Sequence, residues 1–153
     1  MIKVDIDDAK MTARFKSLTQ QLGDLTPVWQ DLKKIFIQII RANFRTEGQH
    51  SGPGWAPLNP AYARYKARKY PGKTILRATD TLFKSLTGVG GGWIERITPR
   101  YAEFGTRVAY AKFHQLGTSR MPARPPIPNL TREDGAAMAD AILAFILKKM
   151  NNG

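Results

Sequence analysis

The sequence contains no cysteine. That absence excludes disulfides, thiolate metal sites and cysteine nucleophiles together. Imidazole is nearly as scarce: only His50 and His114 are present, and two distant histidines without cysteines match no recognised zinc-ligand spacing. Carboxylates are thin where chemistry would need them, since the acidic residues between Ala61 and Arg124 are only Asp80, Glu95 and Glu103. General acid–base catalysis requires titratable groups within hydrogen-bond reach in a cleft, and no carboxylate motif and no identifiable partner for His114 supplies them. The sequence therefore reads as non-enzymatic, without cofactor or metal. His114, within "AYAKFHQLG", reads as a structural histidine on a short helix. Apolar runs long enough to span a bilayer are also missing. The opening "MIKVDIDDAK" is acidic where a secretory signal would be basic and then apolar, so synthesis in a cytoplasm is expected, with no membrane partner.

What the sequence has in excess is positive charge. Twenty-four Lys and Arg against 12 Asp and Glu give a net charge of +12 and a pI near 10.2, which points to nucleic acid, an anionic surface or an acidic protein partner. The charge is uneven. Arg64, Lys66, Arg68, Lys69, Lys73 and Arg77 follow one another with no acidic residue among them, while Asp5, Asp7 and Asp8 crowd the N-terminus. The basic segment reads as a face for a partner or for DNA, against the plainer reading of a solvated surface. Within it, Gly72-Lys73-Thr74 ends like a phosphate-binding P-loop, but Ala67 stands where that loop needs its first glycine, and "AYARYKARKY" leads in where a buried strand should. Pro71-Gly72 is thus a turn, and Lys73 an available point charge. The glycine tract Gly88 to Gly92 lacks the setting of a dinucleotide fingerprint.

With 153 residues, 42% of them hydrophobic, one domain spanning residues 1–153 is expected. Ile2, Val4 and Ile6 alternate like a strand; Asp7 or Asp8 then caps a helix with Met11, Phe15, Leu18 and Leu22 on one stripe, stopped by Gly23. Thr26 as N-cap and Pro27 at the first turn open a long helix to about residue 46, whose stripe is Val28, Leu32, Ile35 and Ile39, widened by Trp29, Phe36 and Ile40. A Gly/Pro-rich loop from Gly48 to Pro60 carries Trp55 as its anchor. Short helices are expected from Pro60 to about Lys69 and from Asp80 to about Leu86, then one or two strands, with Trp93, Glu95 and Ile97 on one face and Ile94, Arg96 and Thr98 on the other. The two similar pieces "YAEFGT" and "YAKFHQLGT" are too short to signal a repeat. Thr131 with Asp134 forms a capping box for a terminal helix striped with Met138, Ile142, Phe145 and Ile146. The fold class is α+β: long N-terminal helices and a C-terminal helix packed on a small antiparallel sheet, with extended loops.

A long helix ending in "NFRTEG", then "GWAPLNPAYARYK", "ILRATDTLFKSL" and "YAKFHQLGTSRMPARPPIP" follow in an order that resembles the phage virion morphogenesis family, the Mu-like tail completion proteins. The matching residues are Trp55, Leu58, Tyr62, Leu76, Leu82, Ser85, Tyr110, His114, Gly117, Pro122 and Arg124, and the resemblance implies a structural role for them. It also implies a phage structural component acting in tail completion or head-to-tail joining, a ring of its own copies (a hexamer by analogy) around the channel, meeting neighbouring neck, connector or tail proteins and transiting DNA, and located in the virion. The sequence departs from the pattern at Asp80, where glycine is usual, and at Pro126-Ile127, where an aromatic or aliphatic pair is usual. The first departure suggests a capped helix in place of a looser turn. The alternative that the charge supports is a free-standing basic nucleic-acid-binding protein, using Tyr62, Tyr65 and Tyr70 for stacking.

Overall fold

The computed structural model describes residues 22–151. The expected strand at Ile2 to Ile6 and most of the helix after it lie outside the described residues. Leu22 is helical and Gly23 follows it at φ +66°, as the stop signal requires.

Helix α1, Thr26–Arg45, carries the core. Its start lies one residue earlier than the sequence suggests: Leu25 occupies the N-cap position without a side-chain cap, and Asp24 Oδ1 accepts from the Thr26 N–H at 2.8 Å. Thr26 is therefore inside the helix, because Asp24 already satisfies an orphan donor of its first turn. Val28, Ile39, Ile40, Asn43 and Phe44 are its buried residues, whereas Leu32 and Ile35 are half-buried. The buried stripe thus sits further towards the C-terminal end than the alternation of apolar residues implies. Ile40 and Phe44 join Trp55, Leu82, Leu86 and Ala111 in one apolar cluster, with the Phe44 ring edge-on to Trp55 and to Phe83, each at 5.3 Å.

Helix α2, Pro60–Lys69, begins as expected, with Asn59 accepting from the Ala61 N–H at 2.9 Å and Pro in its first turn. Helix α3, Thr81–Leu86, follows the Pro71-Gly72 turn. Strands β1, Trp93–Thr98, and β2, Tyr101–Thr106, form an antiparallel hairpin in the register Trp93 to Thr106 through Thr98 to Tyr101. The Trp93, Glu95 and Ile97 face is the one that meets α1: Phe36 packs on Trp93 and Phe104 at 6.3 and 6.1 Å, and Lys33 Nζ reaches Glu95 Oε1 at 2.9 Å. At the far end, the Leu25 N–H donates to the Pro99 carbonyl in the hairpin turn. Helix α4, Ala111–Leu116, and helix α5, Arg132–Asn151, complete the described chain. The α5 capping box forms in both directions, Thr131 N–H to Asp134 Oδ2 at 2.8 Å and Asp134 N–H to Thr131 Oγ1 at 3.1 Å.

The architecture is α+β, as expected. Helix α5 lies principally along α1, and both α3 and α1 meet the sheet. A two-stranded hairpin has too little apolar area to hold three helices, so α1 serves as the common support.

Candidate functional site

The loop after α1 is held by carbonyl acceptors. Trp55 Nε1 donates to the Pro125 carbonyl at 3.1 Å, and the buried Asn43 amide donates to the carbonyls of Pro125 and Pro126. From the other side, Arg124 donates from Nε to the Ala56 carbonyl at 2.7 Å and from Nη2 to the Pro57 carbonyl at 2.8 Å. "GWAP" and "ARPP" thus clasp each other. Proline-rich chain cannot pair as a sheet because it lacks N–H donors, so side chains must supply the donors that its carbonyls need. Two glycines fit the same region closely. A Cβ on Gly48 would lie 2.4 Å from the Trp55 ring, and one on Gly117, at φ +74°, would lie 2.8 Å from the Ala123 nitrogen.

This clasp forms one wall of a cleft of about 690 Å³. Pro57, Leu58, Tyr62 and Lys66 line one side; Leu76, Ala78 and Thr79 line another; Tyr110, His114, Arg120, Met121, Pro122 and Arg124 complete it. Seven residues of the family pattern, Leu58, Tyr62, Leu76, Tyr110, His114, Pro122 and Arg124, therefore converge from four separate stretches of chain. The other four lie outside the cleft lining: Trp55, Leu82 and Ser85 are buried, Gly117 ends α4 against Ala123, and Ser85 Oγ meets Thr106 Oγ1 at 2.7 Å to join α3 to β2. Tyr110 packs edge-on to His114 at 5.8 Å. Burial, and after it the Arg124 charge, hold the His114 pKa below the ordinary histidine value, so the ring is neutral at neutral pH. Its Nδ1 is buried without a hydrogen-bond partner among the described residues. His114 lies on a short helix as expected, and its Nδ1 lacks the hydrogen bond that a buried ring nitrogen ordinarily makes.

The six basic residues of the segment from Arg64 to Arg77 do not form one patch. Lys66 is only 4% exposed and its ammonium donates to the Thr74 carbonyl; burial pulls its pKa below the ordinary lysine value. Lys73 and Arg77 both bind Asp80, at 2.5 and 2.7 Å, so Lys73 is not the free point charge its sequence context suggests. Arg64, Arg68 and Lys69 are exposed on α2, where Lys69 Nζ donates to the Tyr65 hydroxyl at 2.8 Å. Sequence spacing could have anticipated part of this division. Asp80 stands three residues after Arg77, within local reach, whereas the burial of Lys66 depends on the chain returning over α2 at Thr74.

Asp80 departs from expectation in another way. It occupies the N-cap position of α3 but makes no side-chain cap and adopts φ +60°. Its carboxylate turns back to Arg77 and Lys73, so the residue closes the preceding loop. Glycine, usual here in the family pattern, is the residue that takes a left-handed backbone without strain.

The second histidine lies elsewhere. His50 Nε2 is 2.8 Å from Asp134 Oδ2, tying the loop after α1 to the start of α5. Among the described residues no group of three potential metal ligands occurs, and no helix is long and apolar enough to cross a membrane.

A helix-supported hairpin, a proline-rich clasp and a cleft that no aspartate or glutamate lines are the features of the described residues. The chain belongs to the phage virion morphogenesis family, whose sequence model matches residues 6–146. It is 28% identical over 143 residues to the protein described as "Mu-like prophage FluMu G protein 1" of Haemophilus influenzae, an alignment covering 93% of this chain and 92% of that protein. No solved structure matches the chain.

Proposed function

We propose that the protein is a non-enzymatic component of the phage particle that acts in tail completion or head-to-tail joining, as a ring of its own copies around the channel. Membership of the virion morphogenesis family supports the assembly role. The observation that carries the contact is the exposed surface of α2. Arg64 and Arg68 lie there without an ion-pair partner among the described residues, beside the exposed Tyr62 and Tyr65. In a closed ring each copy repeats this face, so a small basic surface becomes a positive collar that meets transiting DNA or an acidic neighbouring ring. A hexamer is the proposed ring, and the head-tail junction or tail end its place in the virion.

Electron microscopy of particles produced without the protein tests this reading. Separate heads and tails, or unfinished tail ends, are expected; normal joined particles would overturn it. A salt titration with DNA separates the free-standing binder. Such a protein holds DNA at physiological salt, whereas a ring component shows weak binding that falls steeply with salt.

A further inference from the structure

The cleft beside α2 carries more positive charge than its surroundings neutralise. Lys66 and Arg124 are 4% and 5% exposed, yet neither has a carboxylate within ion-pair distance among the described residues. Their polar partners are backbone carbonyls, of Thr74 for Lys66 and of Ala56 and Pro57 for Arg124. Glu47 is the carboxylate whose charge reaches Lys66, but it does not line the cleft, and its Oε1 accepts from the Ile75 N–H at 2.7 Å. Arg120 stands exposed at the cleft as a third cation, and no aspartate or glutamate lines it. Buried charge without a counter-charge is costly. An incoming anion removes that cost, and in a partly desolvated cleft its attraction is stronger than at an open surface.

The walls say what carries the anion. Tyr62 and Tyr110, 45% and 42% exposed, stand at the cleft together with Leu58, Leu76 and Met121. Leu76 holds φ +61°, a backbone state that is a genuine outlier for a bulky side chain and that tends to persist where a binding surface requires it. Rigid aromatic and aliphatic walls around fixed cations suit an apolar chain bearing a carboxylate. A nucleic-acid duplex does not enter a cleft of about 690 Å³.

The geometry points to a seat for a glutamate or aspartate side chain on an extended, apolar segment of a neighbouring protein. This rests on the assembly reading only in requiring that such a neighbour exists. Charge complementarity selects the occupant, and the carbonyl clasp through Arg124 preorganises the seat so that little ordering is needed on binding.

Full-length protein is titrated with a fluorescein-labelled, acetylated peptide alternating leucine and glutamate, with its leucine–glutamine counterpart, and with a single-stranded oligothymidylate of matching charge. Saturable binding of the glutamate peptide is expected, with about tenfold weaker binding of the glutamine peptide. Arg120→Glu, on an exposed loop, should weaken the glutamate peptide by about tenfold without changing the melting temperature. The bound peptide should shift the ring proton resonances of Tyr62, Tyr110 and His114. Absence of saturable peptide binding overturns the proposal, as does binding that leaves those rings unmoved. Oligothymidylate binding as tight as the peptide's, and equally lost in Arg120→Glu, would assign the cleft to nucleic acid and also overturn it. None of these outcomes alters particle morphology, so the ring reading is tested separately.

Discussion

At the scale of single residues, backbone conformation and side-chain chemistry are in conflict at Asp80 and in agreement at Asp134. Asp80 accepts a left-handed backbone while binding Arg77 and Lys73. Replacing it with glycine or with alanine removes the same ion pairs, so the difference between the two variants isolates the backbone. Asp80→Ala should be less stable than Asp80→Gly by about 1 kcal/mol in urea denaturation; equal stability would show that the turn relaxes freely. Asp134 is governed by protonation. Burial raises its pKa, but hydrogen bonds from the Thr131 N–H, His50 and the Thr131 hydroxyl together outweigh burial and hold it below the ordinary aspartate value. A lowered folded-state pKa gives stability that is present above the unfolded value and lost as pH falls through the folded one. Asp80 acts in the same sense, with the Arg77 hydrogen bond as its largest cause, opposed by burial. Stability should therefore decline only at pH below the ordinary aspartate range, and Asp134→Asn should flatten that acid limb in denaturation curves measured across pH.

At the scale of elements, α1 shows how a stripe read from the sequence differs from a buried one. Ile35 and Ile39 both lie on the apolar face, yet Ile39 is buried and Ile35 is half-buried. Ile40, fully buried in the main cluster, should lose about 2–5 kcal/mol on truncation to alanine. Ile35→Ala should cost clearly less. Guanidinium denaturation of both variants checks the order, and equal losses would mean that Ile35 is covered in solution. The C-terminal helix was legible because capping and periodicity agree there: Thr131 with Asp134 caps as its spacing suggests. Asn43 was not legible. A polar residue on an apolar face gives no sign that its amide will meet two proline carbonyls 82 and 83 positions away.

At the scale of the whole molecule, a net charge of +12 says that anionic partners will be attracted, but the fold decides which cations can meet them. Arg64 and Arg68 stand outside; Lys66 is inside; Lys73 and Arg77 are bound to Asp80. The double change Arg64→Glu and Arg68→Glu should shift stability by less than about 0.5 kcal/mol, as exposed substitutions usually do. Phage carrying it should give heads and tails that fail to join, or particles that deliver DNA poorly, visible by electron microscopy and plaque counts. Wild-type infectivity would reduce the α2 surface to a solvated face. Lys66→Glu should behave differently, with lost solubility or a lowered melting temperature, because a carboxylate would then face the Thr74 carbonyl in a buried position.

The sequence by itself determined the class of the fold, the helix that carries its core, the Trp55 anchor and the family pattern, since each depends on local periodicity, local capping or residues read in order. Tertiary structure alone decided where that pattern goes. Tyr101-Ala102-Glu103-Phe104 is strand and Tyr110-Ala111-Lys112-Phe113 is mostly helix, although the two stretches are nearly the same. The first has β1 beside it to complete a hydrogen-bonded ladder; the second follows a turn in which the Val108 N–H donates to Thr106 Oγ1, and ends at Gly117. The cleft arises in the same way. Its residues are far apart in the chain, and the Pro125 and Pro126 carbonyls, which accept from Trp55 and Asn43, together with Arg124, which donates to the Ala56 and Pro57 carbonyls, bring them to one place.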